Sequence, residues 1–197
     1  MIFSPDIARA AFLVVALGLA GIGHVYWLKT RWSQHFKQPI DGGGRLRGRR
    51  LLGANKTLRG FMAMPPAAAL SFVVLSELLR WLAPAWHAQL WPLSAGAYAA
   101  LGFGCGLAFM LAELPNSFLK RQLDVAPGQL PDRGALRLAC AVWDRIDSTV
   151  GVLLLLWLLP GVGAPAAVWA WALLLGPSVH AAFSVWLHRA GVKGRAL

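Results

Sequence analysis

Residues 144–160 read DRIDSTVGVLLLLWLLP, in which the carboxylates Asp144 and Asp147 precede an apolar run from Val150 to Leu159 that stops at Pro160-Gly161. Residues at i and i+3 share a helix face, so the two acids stand together at the mouth of an apolar helix. Charges in that position are expensive in a membrane and usually do something. A second polar island precedes them: Glu113 closes an earlier apolar segment, and Ser117-Phe118-Leu119-Lys120-Arg121 follows it.

Working outward, apolar segments fall at about 8–28, 61–82, 94–112, 148–160 and 164–187. Hydrophobic residues make up 57% of the 197 and charged residues 14%, where a soluble domain carries about a quarter charged. Mean hydropathy is +0.56. These values exclude an ordinary soluble domain, and no repeat or low-complexity tract divides the chain, so residues 1–197 are expected to form one membrane-embedded domain.

The net charge of +11 could suggest nucleic acid, but its distribution argues otherwise. Nine Lys/Arg lie between Lys29 and Arg59, five between Lys120 and Arg145, and three after His188. Placing those segments in the cytoplasm satisfies the positive-inside rule throughout. The expectation is an all-α integral membrane protein with about five transmembrane helices, N-terminus outside and C-terminus cytoplasmic. No nucleic-acid partner is expected, and a homodimer is left open. Cys105 and Cys140 have neither the spacing nor the setting of a disulfide or zinc site. Ala10 to Leu28 has the length of a retained span rather than a signal peptide, with its basic cluster behind it.

Local signals refine this outline. His24-Val25-Tyr26-Trp27 looks like a set of headgroup-level anchors, and Pro39-Ile40-Asp41-Gly42-Gly43-Gly44 opens a loop. Gly102, Gly104 and Gly106 allow another helix to approach closely. A carboxylate at Glu113 should face an aqueous cavity or a cation, or else reach water from a helix end. Pro115 predicts a helix break that frees the backbone amides of Asn116 and Ser117. An amphipathic surface segment is expected over 118–137, with the fourth helix starting near Leu136.

Two constellations carry chemistry. GRRLLGANKTLRG, from Gly48 to Gly60, gathers fixed-charge donors, an amide and a hydroxyl in one glycine-bounded loop. Such a loop can wrap a polyphosphate, although the order of a Walker loop is absent. The plainer explanation is a positive-inside anchor, which has no need of Asn55 and Thr57. In the second constellation, acids that could hold Mg²⁺ stand among Lys120, Arg121 and Arg145, the composition of a phosphoryl-transfer site. Its plainer explanation is an Asp to Arg ion-pair network at a helix end.

At these residues the chain resembles the membrane CTP:phosphatidate cytidylyltransferases, or CDP-diglyceride synthases, and most closely their branch containing the CDP-archaeol synthases. The resemblance rests on Pro39-Ile40-Asp41, GRRLLGANKTLRGF from Gly48 to Phe61, SFLKR from Ser117 to Arg121 and DRID from Asp144 to Asp147. It implies Mg²⁺-dependent transfer of a cytidylyl group from CTP to a phosphatidate-type lipid, giving a CDP-lipid and pyrophosphate. By similarity, Asn55, Lys56, Thr57 and Arg59 contact CTP, Lys120 and Arg121 bind phosphates, and Asp144 and Asp147 hold metal, with Glu113 able to offer further oxygens. The expected location is integral to a membrane, a bacterial inner membrane, with the site facing the cytoplasm.

The chain departs from that pattern at several points. Gly53-Ala54-Asn55-Lys56-Thr57 stands where the branch usually reads Gly-Asp-Asn-Lys-Thr, and Ala112-Glu113 and Asn116-Ser117 replace the usual Gly-Asp and Gly-Ser. His180 looks like a family residue, whereas Gly191-Val192-Lys193-Gly194-Arg195 matches the usual basic ending in part. The rival reading is a catalytically altered or inactive homologue that binds or transports phospholipid. A CDP-alcohol phosphotransferase would need repeated aspartates on adjacent helices, which are missing.

Overall fold

Ser4 caps the first helix, accepting a hydrogen bond from the Ile7 amide at 3.4 Å, and Pro5 and Asp6 fill its first turn. The computed structural model describes residues 4–132 and 134–189. Its long elements are all helical: α1 (Pro5–Leu28), α2 (Leu58–Leu82), α4 (Ala95–Gln122), α5 (Gly134–Leu158) and α6 (Ala166–Arg189), with α3 (Pro84–His87) a single turn. Packing of α1 on α2 and α6, α2 on α4, α4 on α5 and α5 on α6 closes the five long helices into a ring.

The chain is an all-helical integral membrane protein. By length and composition α1, α2 and α4 can each cross a membrane, and α6 contributes a shorter apolar stretch, Ala166–Val179. Large apolar side chains such as Leu70, Trp81, Leu82, Trp157 and Leu174 point outward, as a lipid-facing surface requires. In α5, Arg137, Asp144, Arg145 and Asp147 all fall within the helix, so its uncharged part is only the portion from Ser148 onward.

The core occupies one end of the ring. Phe12 of α1 meets Phe72 of α2 edge-on at 5.2 Å and Tyr98 of α4 at 5.6 Å. Trp91 completes the cluster, its indole donating to the Val162 carbonyl at 2.6 Å while its own carbonyl accepts from the Tyr98 hydroxyl at 2.7 Å. Lower in the ring, α2 and α4 are in direct backbone contact. A methyl group on Gly102 would lie 2.6 Å from the Ala68 carbonyl oxygen, and one on Gly106 would lie 2.7 Å from the Pro65 Cα. The small-residue stripe is thus a helix seam.

Two expectations are corrected. Pro115 does not break its helix: α4 continues through it to Gln122. Proline removes only its own N–H donor and disturbs one turn, and here the flanking turns pack on α2 and α5. The connection between α4 and α5 is accordingly shorter than expected, since residues 118–122 belong to α4 and α5 already begins at Gly134.

Between α1 and α2 the chain makes a closed excursion. Its neck is tied by Ile40 N–H to the Lys56 carbonyl at 2.9 Å and Leu58 N–H to the Gln38 carbonyl at 3.0 Å. A two-stranded ribbon, β1 (Arg45–Leu46) paired with β2 (Arg49–Arg50), turns at Arg47 and Gly48, both with positive φ, 51° and 82°. That is the geometry of a tight hairpin turn. Asp41 sits at the centre, accepting from Arg50 at 2.7 Å and from the amides of Gly43 and Leu52, each at 3.0 Å. Burial acts to raise the Asp41 pKa, but these hydrogen bonds and the Arg50 charge outweigh it and hold the carboxyl below its ordinary value.

Candidate functional site

Helical continuity through Pro115 organises the site. With α4 unbroken, Glu113, Asn116, Ser117 and Lys120 fall at i, i+3, i+4 and i+7, a single helix face. That face looks across to Asp144 and Asp147 of α5. Asn116 and Ser117 therefore contribute side chains to the site, where a helix break would have contributed backbone amides.

The acids are joined by amide and ammonium donors. The Asn116 side-chain amide donates to Asp144 Oδ1 at 2.7 Å and to Asp147 Oδ2 at 2.9 Å. Lys120 Nζ forms an ion pair with Asp144, with Oδ1 at 2.6 Å, and Lys56 forms one with Glu113. Ser148 Oγ lies 3.2 Å from Asp147 Oδ1 and 3.4 Å from Glu113 Oε1, linking the two pairs. One continuous network thus runs from Lys56 through Glu113, Ser148, Asp147, Asn116 and Asp144 to Lys120. Asp147 is 6% exposed, and the Asp144 side chain, nearer the rim, is 36% exposed.

The loop closes over this network. Gly53 N–H donates to Ser117 Oγ at 3.0 Å, and a Cβ at Gly53 would collide with the Asn55 side chain and come within 3.4 Å of Arg121 Nη1. Glycine is what lets the loop lie this close. Gln122 holds the hairpin through the Arg50 carbonyl at 3.2 Å, and Arg49 pairs with Asp124 at 2.5 Å. Arg121 is 8% exposed, has no carboxylate partner among the described residues, and leaves its Nε without a hydrogen bond.

A cleft of about 230 Å³ lies between these groups, lined by Asn55 and Lys56 of the loop, Glu113, Asn116, Ser117, Lys120 and Arg121 of α4, and Asp144 and Asp147 of α5, with Pro127 and Gly128 at its edge. A larger cavity of about 430 Å³ opens beside it along residues 122–136. Size favours the second and chemistry the first, because only the smaller cleft brings acids, lysines and an unpaired arginine together.

Of the residues singled out by sequence, Asn55, Lys56, Glu113, Lys120, Arg121, Asp144 and Asp147 line the cleft; Thr57 and Arg59 do not. Thr57 is buried at the start of α2, and Arg59 lies on that helix's first turn. Ala54 is exposed on the loop and lines none of the cleft. Among the described residues, no three acidic, His or Cys side chains converge as a metal cage, and Glu113 is paired with Lys56. The side chain of His180 and residues 191–195 lie outside the described residues.

Asn116, Ser117 and Ser148 as side-chain contributors, and the Pro127-Gly128 edge, escaped the sequence reading. The 113/116/120 spacing carried the signal for Asn116, hidden by the presumed break. His24 also differs from expectation. The buried α1 positions Ala16 and Ala20 set the inward face, and His24 follows at i+4, so its ring turns toward Gly60 while Tyr26 faces outward.

Comparison with known proteins gives a consistent answer. The chain is 33% identical over 162 residues to the CDP-archaeol synthase of Halobacterium salinarum, covering 79% of this chain and 81% of that protein. It is 29% identical over 181 residues to the CDP-archaeol synthase of Thermofilum pendens, covering 89% of this chain and 74% of that one. No family model matches the chain. No solved structure matches it.

Proposed function

The chain belongs to the CDP-archaeol synthase family, and from that premise we propose that it transfers a cytidylyl group from CTP to a phosphatidate-type lipid. The phosphate oxygen of the lipid attacks the α-phosphorus of CTP, the bond to the β-phosphate breaks, and pyrophosphate leaves. A phosphate monoester is already an anionic nucleophile, so positioning and charge neutralisation carry the catalysis. One observation supports this reading above the others: the polyphosphate-type loop, the SFLKR helix and the DRID helix meet at a single cleft.

Within the cleft, Arg121 is the cation most open to a phosphate, being free of any carboxylate among the described residues. Asn55 and Lys56 hold the nucleotide from the loop side, and Lys120 from the helix side. The oxygen donors suit Mg²⁺, which keeps waters and substrate phosphates and needs few protein ligands. Asp144 and Asp147 would hold it, with Glu113 alongside, and it would supply countercharge to the triphosphate. We also propose five membrane crossings with the cleft at the cytoplasmic surface, where water-soluble CTP and a bilayer-held lipid meet. Both relatives are archaeal, and they lend no support to a bacterial inner membrane.

The test is purified protein with Mg²⁺, α-labelled CTP and a lipid phosphate carrying either ester or ether tails. Label should enter the lipid phase with equimolar pyrophosphate, and Asp144→Asn should abolish it. Lipid binding without label transfer under any cation would instead establish the lipid-binding or transport reading.

A further inference from the structure

Among the buried nitrogens without a hydrogen-bond partner that lie outside the cleft are Nε of Arg59 and Nε2 of His24. They come from different helices and face one region. A methyl on Gly60, next to Arg59, would lie 4.0 Å from the His24 ring carbon Cε1. Among the described residues Arg59 has no carboxylate within ion-pair distance, because Glu113 is occupied by Lys56. A half-buried guanidinium with its Nε shielded from water and with neither a counter-charge nor a hydrogen bond is costly, and an anion that meets both needs relieves it.

The surroundings say which anion fits. Leu58 and Met62 flank Arg59 on the outer face of α2, 39% and 52% exposed, and Tyr26 stands outward near His24 at 69%. Apolar surface on the lipid side with a lone cation behind it suits an amphiphile lying along the helix with its phosphate turned inward. A nucleotide triphosphate has no use for that apolar flank.

We propose that His24 and Arg59 form the subsite that holds the phosphate of the lipid acceptor, distinct from the nucleotide cleft. Arg59 supplies the charge, and the His24 ring supplies a second hydrogen bond that orients the attacking oxygen toward Glu113 and the cleft behind it. Its identification as an acceptor subsite rests on the cytidylyl-transfer reading, whereas the phosphate-binding property does not depend on turnover.

The experiment therefore has two readouts. In the first, KM for lipid phosphate and for CTP are measured separately in mixed micelles for the full chain, Arg59→Gln and His24→Ala, with Arg59→Lys and His24→Gln as milder replacements if either unfolds. Loss of a charge-assisted hydrogen bond should raise the lipid KM about tenfold or more and the CTP KM by less than about twofold. In the second, without CTP, binding of short-chain phosphatidate is compared with binding of the matching diacylglycerol and of inorganic phosphate. The unmodified chain should prefer phosphatidate over both, and Arg59→Gln should lose that preference. A rise in CTP KM alone, or unchanged lipid KM and unchanged binding in every variant, overturns the subsite while leaving cytidylyl transfer intact. Absence of turnover together with phosphatidate binding that depends on Arg59 supports the phosphate site and overturns both its acceptor role and the enzymatic reading.

Discussion

At one end of the ring Phe12, Phe72, Trp91 and Tyr98 meet as aromatic faces and edges, their two polar atoms each satisfied by a backbone carbonyl. At the other end seven polar side chains from a loop and two helices hold one another in a row from Lys56 to Lys120. Helix α4 contributes to both ends. The first is held by shape, and its loss should be felt as stability. The second is held by mutual hydrogen bonding among groups that would each be costly alone, and its loss should be felt first as chemistry.

The sharpest attempt to break this division is at the seam that joins the ends. Gly106→Val places side-chain atoms against the Pro65 Cα and the Met64 carbonyl, 2.7 and 2.8 Å from a Cβ, where backbone cannot yield. We expect no monodisperse folded species on size-exclusion chromatography in detergent, and a well-behaved variant would show that α2 and α4 can separate. Next in size is Asn116→Leu, which strips the shared donor from Asp144 and Asp147. The buried Asp147 should lose about 1–3 kcal/mol of support, and label transfer to lipid should fall about a hundredfold. Retained transfer would show that the amide bridge has no part in the site.

Smaller effects separate the ends more finely. Trp91→Phe removes the indole donor to Val162 and should cost about 1 kcal/mol in denaturant or thermal unfolding, with label transfer unchanged. Reduced transfer at full stability would mean that the two ends are coupled. The smallest effect concerns the loop and pH. Because the folded Asp41 pKa is depressed, its contribution is complete above the unfolded value near 4 and is lost as pH falls through the folded value. Proteolytic nicking within residues 39–57 should therefore increase only below about pH 4, and Asp41→Asn should show the nicking already at neutral pH.

Much of this was legible in the chain itself. Uncharged runs in α1, α2 and α4 announced membrane helices, and DRID and SFLKR announced the cleft, since charge inside such runs is too costly to be idle. Other features were hidden for physical reasons. Pro115 carries a strong local preference against helix, but one missing donor is outweighed by the packing of the turns around it. His24 sits in a polar-aromatic border whose composition suits the headgroup region, and only the register set by Ala16 and Ala20 shows that its ring turns inward. The α5 helix mixes a charged first half with an apolar second half, which is why, among the described residues, composition does not mark it as a crossing.

The row of contacts from Lys56 to Lys120 has one more implication. Counted by formal charge, Glu113, Asp144 and Asp147 are balanced by Lys56, Lys120 and Arg121, so the resting chamber is electrically neutral. A polyanionic guest arriving alone would upset that balance where the surrounding medium screens poorly. Guest and counter-ion should consequently enter as partners, each tightening the hold on the other, with the released ammonium groups receiving the guest and the freed carboxylates the counter-ion.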